Sequence, residues 1–353
     1  MAPETTLFLY SVIKNLYYQT TLVAAKKAHP AGTWYDLLNI MKKLVSYVFP
    51  IHNESGNIEL LHKVLSETIA LKTDIYDFEI IFINDGSQDD SLEKLTAAQK
   101  TDDRVTIINF ARNFGHQLAV TAGLDHAKGA AVIIMDSDFQ DPPAVSLELL
   151  QQWENGFDVV YAQRRSRKDS LFKKASASTF YWALQKVADI EIPRNTGDFR
   201  LLDRKVVDVL NTFREHDRFL RGLVSYVGFK QKAVQFDRDQ RHAGETSYPL
   251  KKMLRFAADG ILGFSTFPLK LITRIGYAIS TFSFLGIIYA LVVKAVDPKT
   301  VVPGWTFIVI AVLLVGGAQL IVLGVLGSYI GRIYTESQNR PLYIIESIKV
   351  GKK

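Results

Sequence analysis

Along the first two-thirds of the chain, apolar positions recur in blocks of two different periods. Leu44 to Phe49 is a β-branched and aromatic run closed by Pro50 and a polar turn. Phe78 to Ile83, Val105 to Phe110, Ala131 to Met135 and Asp158 to Ala162 are further short runs of the same kind. Such runs, bounded by turn formers, read as strands. Between them the apolar spacing changes to three and four, as in Ile58, Leu61, Val64, Leu65 and Ile69. Ser91 to Gln99, Leu118 to Ala127 and Val145 to Trp153 carry the same helical signal. This alternation predicts an α/β domain on a doubly wound, mostly parallel sheet.

The C-terminal third has another pattern. Ile275 to Val293 is 19 residues without a charge, and 32 more separate Lys299 from Arg332, with Trp305 to Ile330 as their apolar body. About 20 apolar residues cross a bilayer core, so two transmembrane helices are expected, joined at Asp297-Pro298-Lys299. Tyr277, Tyr289, Trp305 and Tyr329 sit near the span ends, where amphipathic rings favour the interface. In Pro249 to Phe264, Leu250, Met253, Leu254, Ala257 and Ile261 alternate with Lys251, Lys252 and Arg255, the pattern of a helix lying in the interface plane. Leu171 to Val187 has similar ingredients and reads equally as an interfacial or an ordinary surface helix. The expected divisions are therefore an extension of unknown role at 1–40, the α/β domain at 41–248 and a juxtamembrane helix at 249–270. The two spans follow at 271–331 and a cytosolic tail at 332–353.

Composition narrows the class. With 353 residues, 48% hydrophobic and 22% charged, the chain has the apolar surface that disordered sequences lack. The absence of cysteine excludes a disulfide framework, a thiolate zinc site and a cysteine nucleophile. The 7 histidines include no His-x-x-x-His pair, which argues against a zinc hydrolase. The net charge of +6 is uneven: residues 250–353 hold 12 Lys/Arg against 4 Asp/Glu, a net of +8. That excess lies beside apolar sequence, so anionic lipid, and not nucleic acid, is the expected partner. Cations flank the two spans on their outer sides, while the connecting loop has only Lys294 and Lys299. By the positive-inside rule both termini face the cytosol.

Open α/β sheets bind ligands beyond the carboxyl ends of their strands. Four polar clusters fall there: Pro50-Ile51-His52-Asn53-Glu54, Asn84-Asp85-Gly86-Ser87, Arg112-Asn113-Phe114-Gly115 and Asp136-Ser137-Asp138-Phe139-Gln140-Asp141. One acidic residue after a strand is usually a cap or a turn residue. Four clusters on successive strands of one sheet converge on one crevice. Asp136 and Asp138, one residue apart, can share a divalent cation; Mg²⁺ typically takes one or two carboxylates plus phosphate oxygens. The chain has neither a Gly-x-Gly-x-x-Gly fingerprint nor a Walker A loop, which leaves a carboxylate-held metal as the common device for phosphate.

In this order the clusters resemble glycosyltransferase family 2, with its GT-A fold. Thr196-Gly197-Asp198-Phe199-Arg200, Arg218-Phe219-Leu220-Arg221-Gly222 and Arg241-His242-Ala243-Gly244-Glu245-Thr246-Ser247-Tyr248 narrow the likeness. So does Gly331-Arg332-Ile333-Tyr334, with Asn339-Arg340-Pro341-Leu342-Tyr343 after it. Together they are similar to the polyisoprenyl-phosphate glycosyltransferases, a group that includes bactoprenol glucosyltransferase and dolichol-phosphate mannose synthase. The resemblance runs from Lys42 to about Ile345, and two paired C-terminal spans resemble the bactoprenol branch. His52 stands where the group often has Tyr, and Ser247 where it often has a basic residue. No Gln-x-x-Arg-Trp of the processive synthases occurs, which favours single transfer.

The resemblance implies inverting transfer of one hexose, glucose first, from a UDP-sugar to undecaprenyl phosphate at the cytosolic face of a bacterial inner membrane. GDP-mannose or a UDP-aminosugar is the alternative donor, and a catalytically silent membrane scaffold the alternative class. Asp85, Gly86, Ser87, Arg112 and the loop Pro50, His52, Asn53 and Glu54 would hold the nucleotide, with Asp136 and Ser137. Asp138, Gln140 and Asp136 would ligate Mg²⁺ or Mn²⁺. Asp198 joins Asp136 and Asp138 as a catalytic carboxylate, either as base or in positioning the acceptor or Arg200. Arg200, Arg218, Arg221, Arg241 and Arg164 are the expected contacts of the acceptor phosphate, and a homo-oligomer is compatible with all of this.

Overall fold

The computed structural model describes residues 42–165, 193, 196–237, 267–296 and 305–351. The first half alternates as expected: β1 (Lys43–Ile51), α1 (Ile58–Ala70), β2 (Tyr76–Asn84), α2 (Ser91–Thr101), β3 (Val105–Phe110), α3 (His116–His126), β4 (Ala131–Ile134), α4 (Val145–Glu154) and β5 (Val159–Arg164). It continues with β6 (Thr196–Asp203), α5 (Arg204–Leu210), α6 (Leu220–Tyr226) and β7 (Gln231–Phe236). The long helices α7 (Phe267–Val296) and α8 (Trp305–Ser337) precede β8 (Ile345–Val350). The 1–40 extension, the Leu171 to Val187 helix, Arg241 and residues 249–266 of the juxtamembrane helix lie outside the described residues.

The strands form one sheet of order β7-β5-β6-β4-β1-β2-β3-β8. β1 pairs in parallel with β2 and β4, β2 with β3, and β5 with β7. Pairing is antiparallel where β6 meets β4 and β5, and where β8 meets β3. The central strand is buried from Val45 to Ile51, which its unbroken apolar run requires, because helices cover both faces. Tyr47 and Phe49 pack with Leu61 and Leu65 of α1 and Trp153 of α4. Val48 points the other way, into a second core with Val120 of α3, Val207 of α5 and Leu223 of α6. Contact there is close: a Cβ on Gly123 of α3 would lie 2.2 Å from Val48 Cγ1. Any larger residue at Gly123 would push α3 off the sheet.

Parallel pairing puts the ends of β1, β2, β3 and β4 on one edge. β6 runs opposite to β4, with Ala131 against Asp203 and Ile134 against Arg200. Following that register two residues further sets Asp198 level with Asp136, so the amino end of β6 reaches the same edge.

Residues 332–351, read from sequence as a tail, hold the last turn of α8 and the edge strand β8. Within α8, Leu314–Ser337 is the one stretch among the described residues long and apolar enough to cross a membrane by length and composition. Large apolar side chains on both long helices, including Phe282, Leu285, Leu314 and Leu320, are exposed.

Candidate functional site

At the sheet edge, the turn after β2 is tied to its neighbours through a single carboxylate. Asp85 is buried, and its two oxygens accept the backbone N–H groups of Phe114 at 2.6 Å and Gly115 at 2.9 Å. This fixes the loop after β3. Gly86 sits beneath that loop with φ at +61°, and a Cβ there would lie 2.4 Å from Arg112 C and Asn113 N. Only glycine suits both the left-handed backbone and the close approach. His52 Nδ1 donates to the Asp85 carbonyl at 2.8 Å, which leaves Nε2 to accept from the Asn53 and Asn113 amides, both at 3.3 Å. Arg112 lies over the Phe114 ring, 4.0 Å from its centroid.

Two adjoining cavities open here, with His52 and Asn113 in the wall of both. One, of about 480 Å³, is lined by Pro50, His52, Glu54, Asp85, Asp136, Ser137, Asp138, Asp198 and Arg221, with His116 and Gln117. The other, of about 610 Å³, is lined by Asn53, Gly86, Ser87 and Arg112, with Asn84, Asn109 and Glu346 at its side. The residues expected to hold a nucleotide thus divide between two adjoining spaces.

At the centre of the first cavity stands Asp198, buried at the start of β6. Arg221, in the first turn of α6, donates through Nε to Oδ1 at 2.8 Å and through Nη2 to Oδ2 at 3.3 Å. His116 Nε2 meets Oδ2 at 3.1 Å, and Gln117 Nε2 donates to it at 3.3 Å. Burial alone would push the Asp198 carboxyl up, but the field of Arg221 and the hydrogen bonds of His116 and Arg221 hold it well below the usual carboxylate range. Burial opposes charge on His116, yet the Asp198 hydrogen bond and the fields of Asp136 and Asp198 push its pKa up to about 9. At neutral pH the site therefore holds an ionised Asp198 between two cations.

Asp136 is the opposite case. Its Oδ1 is 3.7 Å from His116 Nε2. Burial raises its pKa, with the fields of Asp198 and Asp138 adding to the rise against the pull of His116. Such crowding of carboxylates is what a divalent cation relieves. Among the described residues no group of three or more acidic or histidine side chains could hold a metal alone. Asp136 and Asp138 as a pair fit a hard cation that completes its shell with substrate oxygens. Gln140 donates its backbone N–H to Asp138 Oδ1 at 3.1 Å, and its side chain is buried outside the cavity lining.

The expected acceptor contacts separate. Arg221 lines the cavity. Arg200 is buried behind it, with Nη2 on the Gly197 carbonyl at 2.8 Å and a pKa that burial lowers to about 10. Arg164 is its neighbour: a Cβ on Gly197 would lie 3.3 Å from Arg164 Nη2. Arg218 turns away from the cavity. It is buried, with Nη1 on the Phe213 carbonyl and Nη2 on that of Leu210 at 3.3 Å, and so closes the carboxyl end of α5. His116 and Gln117 were passed over in the sequence, although they directly follow the Arg112 to Gly115 cluster and open α3.

The sequence profile described as Glycosyl transferase family 2 matches residues 46–210. The uncharacterized glycosyltransferase YkcC of Bacillus subtilis is 48% identical over 302 residues, covering 85% of this chain and 93% of that protein. The bactoprenol glucosyl transferase of Shigella phage SfV is 40% identical over 306 residues, covering 86% and 99%. Among solved structures, the glucosyl-3-phosphoglycerate synthase of Mycobacterium tuberculosis, in complex with Mn²⁺, UDP-glucose and phosphoglyceric acid, has a TM-score of 0.41 at 18% identity. That match covers 66% of this chain and 83% of that one.

Proposed function

Because this chain belongs to glycosyltransferase family 2, we propose that it transfers one glucose from UDP-glucose to a polyprenyl phosphate at the cytosolic face of a membrane. The observation that carries the reading is that two groups of opposite charge line one cavity. The carboxylates Asp136 and Asp138 suit a donor diphosphate, and the cations Arg221 and His116 suit an acceptor phosphate. The names of the bactoprenol glucosyl transferases similar to this chain support glucose and a polyprenyl acceptor.

In this mechanism the uracil and ribose bind along His52, Asn53, Asp85, Gly86, Ser87 and Arg112. Asp136 and Asp138 would hold Mg²⁺ or Mn²⁺, which would supply Lewis-acid stabilisation of the departing UDP. A phosphate oxygen of the acceptor attacks the anomeric carbon in line. The new C1–O bond forms as the bond from C1 to the UDP oxygen breaks, with inversion through an oxocarbenium-like state. No base is required: the second pKa of a phosphate monoester is near 6, so the nucleophile is already ionised at cytosolic pH. Asp198, held ionised by its partners, serves instead to aim Arg221 and His116 at the acceptor. The membrane part of the reading treats α7 and α8 as two spans, with the α/β domain and both termini in the cytosol.

A panel of radiolabelled sugar nucleotides, given to membranes with undecaprenyl phosphate, tests the reaction. Label should pass into the organic phase from UDP-glucose. Transfer only from GDP-mannose or a UDP-aminosugar would replace the donor, and no lipid-phase label from any donor would overturn the acceptor. For the topology, a reporter fused after Lys353 should be active in the cytosolic and silent in the periplasmic form. The reverse pattern would overturn the orientation.

A further inference from the structure

The carboxyl end of α8 is locked to the loop between α5 and α6. Glu336, in the last turn of α8, accepts the backbone N–H of His216 at 2.8 Å through Oε1, and Oε2 meets His216 Nδ1 at 3.1 Å. The other ring nitrogen, Nε2, lies 2.9 Å from the Arg340 carbonyl just beyond the helix. One turn back, Arg332 Nη1 is 3.0 Å from Asp217 Oδ2. The loop then runs straight into α6: Asp217 is four residues from Arg221, whose guanidinium sits on Asp198. The amide of Leu220, at the start of α6, is fixed by Gln117 Oε1 at 2.9 Å. The path from the long apolar helix to the cavity is thus continuous and short, with charged groups at its helix end and at Arg221.

We propose that His216, Asp217, Arg332 and Glu336 form a clamp that sets the height and tilt of Arg221 above the bilayer, and so act as positioning residues for a membrane-embedded acceptor. The inference rests on the proposed polyprenyl phosphate acceptor and on α8 as a span. A lipid phosphate can move in the membrane plane but hardly along its normal. The cation that meets it must therefore be held at one height, or the effective concentration of the acceptor at the cavity falls. An acceptor with a short tail reaches the cavity from solution and does not need this alignment. β8 pairs with β3 through none of the four clamp residues, which gives the domain a second tie to α8.

The test uses the full-length protein in liposomes with two acceptors, undecaprenyl phosphate and the ten-carbon citronellyl phosphate. Glu336→Ala and Asp217→Arg should each raise KM for the long acceptor roughly 10-fold, as expected for a lost charge-assisted contact. KM for the short acceptor and the affinity for UDP should stay within about twofold of wild type, below what one such contact contributes. Adding Arg332→Asp to Asp217→Arg restores the pair with its charges exchanged and should recover most of the loss. Equal losses on both acceptors, or no loss on either, overturn the clamp. A wild-type protein that uses neither acceptor overturns the underlying functional reading instead, which keeps the two failures distinct.

Discussion

Asp138→Ala, or removal of divalent cations with EDTA, should lower sugar transfer by at least about 10³-fold, since Lewis-acid stabilisation contributes several kcal/mol and 1.4 kcal/mol is tenfold in rate. Mg²⁺ or Mn²⁺ should restore the chelated wild-type enzyme and leave Asp138→Ala inactive. The expectation follows from charge. Asp136 already has its pKa raised by burial and by the neighbouring Asp198 and Asp138 carboxylates, and a diphosphate adds further negative charge to the same cavity. His116 offsets part of this but is hydrogen-bonded to Asp198. Gln140→Ala separates two readings of the motif. With its side chain buried outside the cavity lining, it should cost stability, seen as a lower Tm, far more than metal affinity. Full transfer in excess chelator would remove the metal from the mechanism, and a Gln140→Ala enzyme as dead as Asp138→Ala would make Gln140 a ligand.

Arg221→Ala should raise the apparent acceptor KM by about 10- to 150-fold, the equivalent of a charge-assisted contact of roughly 1.5–3 kcal/mol. UDP affinity should move little, because the residues proposed for uracil and ribose lie in the loops after β1, β2 and β3. Lysine at 221 should recover part of the loss, since a point charge cannot reproduce the planar fork. Arg218→Ala should behave otherwise. Its guanidinium is spent on the carbonyls of Leu210 and Phe213, so its loss should lower Tm and leave acceptor KM in the folded fraction unchanged. Asp198→Asn should reproduce the acceptor defect of Arg221→Ala without removing a pH-dependent limb. A carboxyl held well below its usual range is ionised throughout the working range, and any acid limb near pH 6 belongs to the acceptor phosphate. A limb that vanishes in Asp198→Asn would instead identify Asp198 as the base.

The parallel half of the fold was legible because its strands are buried on both faces and its helices on one. Leu44 to Phe49 and Phe78 to Ile83 have no other stable reading. β6, β7 and β8 were not read: β8 is half-buried only at Ile345 and Ser347 and exposed at its other four positions, and β7 carries exposed Lys232 and Gln235. Edge strands owe their state to a partner that lies far away in sequence, as β3 does for β8. The carboxylates of the site were legible as types, since Asp136 and Asp138 follow the apolar run of β4 and Asp198 sits in the Thr196 to Arg200 segment. Their allegiances were not. Arg218 and Arg221 are equivalent in sequence, flanking one apolar pair, and one helical turn separates the guanidinium that enters the cavity from the one that closes α5.

The closing strand of the sheet also orders the birth of the protein. β3 borders the larger of the two cavities, and its outer edge is covered by β8, with Tyr343 stacked on Phe110 at 5.1 Å. That strand leaves the ribosome only after both long helices. Until it arrives, the outer edge of β3 is an unpaired template for any passing strand. The α/β half is therefore completed last, once the apolar helices have been made, and a nascent chain that stalls before that point carries an open β-edge beside a half-built cavity.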